Sequence, residues 1–155
     1  MSRSWAIRGT RPRRIRQQQF KSSYLFGAIC PRKDKGVALV LPYANTEAMQ
    51  LHLNEISKKV TNGYHAVIVM DKAGWHRANA LNIPKNITVV KLPPYSPELN
   101  PMEQRFQQLR KLKLSNTCYA DYDEIDQSCV DAWNEFTGRK GNIKSLALRD
   151  WANVY

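Results

Sequence analysis

The chain has 155 residues, 43% of them hydrophobic, and a formal net charge of +11. That length and apolar content suit one globular domain and exclude a disordered chain; no apolar run approaches the ~20 residues of a membrane-spanning helix, and the basic N-terminus has no apolar segment behind it to make a secretory signal. A sequence pI of 9.8 points to a polyanionic partner, nucleic acid being the usual one.

Between Met1 and Lys33 there are nine Lys or Arg residues, and the first acid is Asp34. Residues 1–17 read as a basic arm and 18–155 as one domain. A like-charged run is often a solvated tail, but the basicity of the whole chain favours contact with a polyanion. Arg3, Arg8, Arg11, Arg13, Arg14, Arg16 and Lys21 suit phosphate contacts rather than sequence reading. Phe20 to Ile29 predicts a strand with Gly27 inside it. Residues 31–36 read as a turn and Val37 to Leu41 as a second strand, together an antiparallel hairpin. Asn45 or Thr46 can cap a helix in which Met49, Leu53, Ile56 and Val60 recur at helical spacing, closed by Asn62-Gly63. Ala66 to Met70 is a short continuous apolar run, the pattern of a parallel strand buried on both faces. An irregular or helical piece follows at 77–82, then a strand from Ile87 to Leu92.

Asn100 can cap a helix with Pro101 in its first position and Met102, Phe106 and Leu109 on one apolar face. A further helix is expected from about Tyr122 to Phe136. Asp121 and Glu124 are spaced as a capping box, and Ile125, Val130 and Trp133 are apolar positions. Gly138 to Gly141 breaks it, and Asn142 can open a last short helix toward Trp151. Alternating strands and helices predict an α/β sheet with packed helices. Cys30, Cys118 and Cys129 have no metal-ligand or redox spacing, and an odd count argues against a disulfide framework. Cys129 falls on a helix and reads as a buried free thiol in a reducing compartment.

Two acids stand in unusual contexts. Asp71 ends the apolar run and opens Asp71-Lys-Ala-Gly-Trp-His76. Glu103 closes Leu92-Pro-Pro-Tyr-Ser-Pro-Glu-Leu-Asn-Pro-Met-Glu103. A carboxylate at a strand end and another at a helix start can be aimed at one point, and two hard oxygen ligands held that way suit Mg²⁺ or Mn²⁺. Bland readings stand beside these. Asp71 can cap the following turn. Glu103, three positions after Asn100, can be the reciprocal partner of a capping box, which competes for the same oxygens. His76 and Asn100 are candidate neighbours of the site. His52 and His65 carry no signal.

These strings, with Trp5-Ala-Ile-Arg-Gly-Thr-Arg-Pro12 and Leu41-Pro-Tyr-Ala-Asn-Thr-Glu-Ala-Met49, resemble the catalytic part of mariner-like bacterial insertion-sequence transposases, members of the DDE group in the retroviral-integrase superfamily. The resemblance covers Trp5 to Trp151. It implies a ribonuclease-H-like mixed sheet with flanking helices, metal-dependent cleavage and joining of DNA in the bacterial cytoplasm, and Asp71 and Glu103 as the second and third catalytic acids. It places the first acid on a central strand ahead of Trp5. Upstream of Asp71 the acids are Asp34, Glu47 and Glu55, one in the hairpin turn and two on a helix. The expectation is therefore an incomplete catalytic domain without its first, central strand, through a downstream start codon, a decayed gene or a split reading frame. Such a chain is expected to pair with a second copy or with an upstream-encoded N-terminal fragment. Two classes of function follow: a transposase catalytic domain impaired by loss of the first Asp, or a non-catalytic DNA-binding remnant.

Overall fold

A computed structural model of the chain describes residues 8–9, 23–71, 81–93, 99–109, 119 and 121–147. Strand β1 (Tyr24–Cys30) and strand β2 (Lys35–Leu41) form an antiparallel hairpin in which Gly27 faces Ala38 and Ile29 faces Gly36. β2 starts two residues earlier than the apolar pattern indicates, because Lys35 pairs with Cys30. The connection is a 3₁₀ turn, Pro31–Lys33, followed by Asp34 in the left-handed region at φ 52°. Residues 20–22, expected to open β1, lie outside the described residues.

Helix α1 (Thr46–Lys59) is capped by Asn45, whose side chain accepts from the Ala48 N–H at 2.8 Å, and ends at Val60. Strand β3 (Ala66–Met70) pairs in parallel with β4 (Ile87–Lys91), and the Leu92 N–H continues the ladder to the Met70 carbonyl at 2.8 Å. Helix α2 (Pro101–Leu109), helix α3 (Tyr122–Gly138) and helix α4 (Asn142–Ala147) follow. Asp121 caps α3 by accepting from the Glu124 N–H at 2.9 Å, as its spacing indicates. The helix runs through Phe136 to Gly138, two residues past its expected end. Residues 77–80 of the piece expected before β4 and the approach to Trp151 lie outside the described residues.

The hairpin has a helix layer on each face. Alternation along β1 puts Leu25, Gly27 and Ile29 on one face and Phe26 on the other. The first face packs with Met102, Phe106 and Leu109 of α2, Trp133 and Phe136 of α3, and Ile143 of α4. On the second, Phe26 joins Met49 and Leu53 of α1 with Ile68, Met70 and Val89 of the parallel pair. The result is an α/β arrangement of small sheets and flanking helices, consistent with the ribonuclease-H-like expectation.

Among the described residues β1 pairs with β2 and β3 with β4, in two separate ladders. Two expectations need correction. β3 is not buried on both faces. Its Ile68 and Met70 meet α1, but Val67 and Val69 on the opposite face are 64% and 38% exposed, because α2, α3 and α4 pack on the hairpin instead. Val130 is also exposed; the buried stripe of α3 is Cys129, Ala132, Trp133 and Phe136, one helical face set by the 3.6-residue period.

Candidate active site

Parallel pairing determines where a site can form. The carboxyl ends of β3 and β4 emerge on the same side, and the crevice outside such ends is where parallel sheets bind ligands. Asp71 is the first residue past β3, and Leu92 is the first past β4. Helix α2 starts beside this edge, where its first residues share a cleft with Asp71. At its N-terminus the Asn100 side chain accepts from the Met102 N–H at 3.2 Å, and the Glu103 N–H bonds the Asn100 carbonyl at 3.1 Å. Asn100 is thus the N-cap that the sequence indicates.

Asp71, Asn100, Glu103, Phe106 and Gln107 line one open cleft of ≈ 280 Å³. The two acids singled out by sequence, 32 positions apart, therefore face a common space. Glu103 does not form the reciprocal half of a capping box: among the described residues no hydrogen bond runs from its carboxylate to the Asn100 N–H. Glu103 is exposed and lines the cleft. Phe106 and Gln107 were not foreseen. The signal was available, since positions three and four after Glu103 share its helix face. Phe106 also belongs to the hairpin core, so one ring connects the packing under β1 to the wall of the cleft.

The cleft has oxygen donors and neither thiol nor imidazole among its described lining residues. Two carboxylates and the Gln107 carboxamide match the preference of Mg²⁺ or Mn²⁺ over softer metals. Among the described residues no group of three His, Cys, Asp or Glu side chains converges. None of the upstream acids lines this cleft among the described residues. Asp34 accepts from the Gly141 N–H and, at 3.1 Å, from the Lys144 N–H, and these amides hold its carboxyl below the ordinary value. Glu55 pairs with Lys58 at 2.5 Å. Glu47 is an exposed residue in the first turn of α1.

His76 and Lys21 lie outside the described residues, as do the arm arginines except Arg8, which is exposed in a turn. Cys129 is buried, as expected, and burial, followed by the nearby Asp126, pushes its thiol pKa up. No helix among the described residues is long and apolar enough to cross a membrane.

A family model described as DDE superfamily endonuclease matches residues 1–126. The uncharacterized protein y4pE/y4sA of Sinorhizobium fredii (strain NBRC 101917 / NGR234) is 52% identical over 131 residues, which span 84% of this chain and 97% of that protein. No solved structure matches the chain. With an acid at the end of β3, another in the first turn of α2 and a family match over most of its length, the chain belongs to the DDE superfamily endonucleases.

Proposed function

We propose that this chain is the catalytic domain of an insertion-sequence transposase of the mariner-like type, able to hold a divalent cation and to bind DNA, but weak in strand cleavage by itself. The observation that carries the reading is the shared cleft of Asp71 and Glu103. Asp71 and Glu103 would hold Mg²⁺ or Mn²⁺. Bound there, the ion supplies polarisation of a phosphoryl oxygen and activation of a water or hydroxyl nucleophile at neutral pH. Asn100 has a different part. Its carbonyl oxygen is taken by the Met102 N–H, so its amide N–H groups are what it offers a phosphate. Phe106 closes the apolar side of the cleft.

Weak cleavage follows from ligand number. Phosphodiester transfer by two ions about 3.5–4 Å apart needs a bridging carboxylate and further acids for each ion. The two carboxylates that line the cleft among the described residues leave that centre under-liganded and the nucleophile poorly positioned, a loss that costs rate steeply. The +11 charge and the arm arginines support DNA as the partner, with affinity dominated by phosphate contacts.

One assay tests the parts separately. Supercoiled plasmid incubated with the chain and Mg²⁺ or Mn²⁺ is expected to remain almost uncut, while duplex binding weakens steeply with salt and less steeply once residues 1–17 are deleted. Efficient nicking abolished by Asp71→Ala would overturn the impairment. No duplex binding at low salt would overturn the DNA reading.

A further inference from the structure

The Asp34 latch has a consequence away from the cleft. By accepting from the backbone N–H groups of Gly141 and Lys144, Asp34 ties the tip of the hairpin to the start of α4, more than a hundred residues later in the chain (|i−j| of 107 and 110). The latch gathers cations from two distant segments: Arg32 and Lys33 from the turn with Lys35 at the start of β2, and Lys140 from the α3–α4 joint with Lys144 in α4. All five are exposed. The one acid within the turn is directed inward onto amides, and the nearby Arg139 is paired with Glu135 at 3.0 Å. Lys33 is held above the Tyr64 ring, 4.4 Å from its centroid, and 3.5 Å from the Thr61 hydroxyl. That contact places the face at the amino end of β3, with Asp71 at the other end. Five strand residues span about 16 Å, too far for one phosphate to touch both.

We infer that this cationic face is a second DNA-contacting surface, which grips the backbone phosphates of a duplex apart from the Asp71–Glu103 cleft. The inference rests on the reading of DNA as the partner. Exposed lysines dispersed over a surface are normally just solvated. Here an amide-bound acid and a fixed left-handed turn hold them as a group, and net positive charge concentrated on one rigid face is what a polyphosphate recognises. Tyr64 is the one exposed aromatic that Lys33 brings to this face, too little apolar surface for membrane insertion.

The test is fluorescence anisotropy of a labelled 30-base-pair duplex titrated with the full chain over a range of KCl concentrations. The triple variant Arg32→Ala/Lys140→Ala/Lys144→Ala should keep its melting temperature, since all three side chains are exposed. Its slope of log affinity against log salt should be shallower by about 2–3 units, at ~0.9 unit per lost phosphate contact. A variant slope equal to the wild type would overturn the surface while leaving DNA as partner. A wild type that does not bind duplex would overturn both. Polyglutamate competing as well as duplex would make the face an acidic-peptide site and overturn the DNA assignment.

Discussion

The indole of Trp133 packs directly against Gly27: a Cβ built on Gly27 would stand 2.7 Å from Cζ3 of the ring, and one on Gly36 would stand 2.8 Å from its Cζ2. Two glycines and Ala38 on one face of the hairpin thus form a trough that the largest side chain of α3 fills. The same Gly27 Cβ would approach Phe106 Cζ to 3.1 Å, so the trough also fixes the ring that walls the cleft.

Gly27→Val should therefore destabilise the chain by about 2 kcal/mol through overpacking. Denaturant unfolding measures it. Combined with Trp133→Leu the penalty should be less than additive, because the smaller side chain vacates the space that the added methyls need. Strict additivity would show that Trp133 is not what Gly27 accommodates.

His52 predicts a pH dependence. It is 4% exposed, 6.0 Å from the Phe26 ring, and its Nδ1 has no hydrogen-bond partner among the described residues. Burial pushes its pKa down to about 4 from 6.5. The unfolded chain then binds the proton more readily than the folded one, so its contribution is full above pH 6.5 and lost as the pH falls toward 4. The amount is on the order of 3 kcal/mol for that displacement. Unfolding free energies at pH 7.5 and 4.5 should differ less in His52→Leu than in the wild type. An identical pH dependence would mean that His52 gains solvent or a partner on protonation.

The ladders predict association. β1 and β3 each have one strand partner among the described residues, and Val67, Val69 and Val90 are exposed on the parallel pair. Strand edges beside apolar surface recruit further strands. Light scattering should show the apparent mass rising with protein concentration, and an added peptide able to pair as a strand should raise the melting temperature. A monodisperse monomer with a sharp, cooperative transition would contradict this.

How much of this was legible in the sequence depended on the range of the interaction. β3, the N-caps Asn45, Asn100 and Asp121, and the start of α2 are local effects of alternation, side-chain capping and proline geometry, and each was readable within a few residues. Asp71 and Glu103 stood out in the sequence because both sit at element ends within distinctive strings; that they line one cleft came from the structure. Others depended on partners remote in sequence. The Asp34 latch joins residues more than a hundred positions apart, and burial of His52 depends on Phe26 from another element. The bare face of β3 was misread because an apolar run cannot report which face lacks a helix. Phe106 and Gln107 were missed at the site for another reason: the motif ended at Glu103, while the helix carried its face onward.

The central claim is that Asp71 and Glu103 act on one cation, and Mn²⁺ titration by calorimetry addresses it most directly. The wild type should show saturable binding, and Asp71→Asn and Glu103→Gln should each weaken it on the order of tenfold or more, since each removes an anionic oxygen ligand from the same ion. Unchanged affinity in both variants, or a response confined to one, would contradict the account.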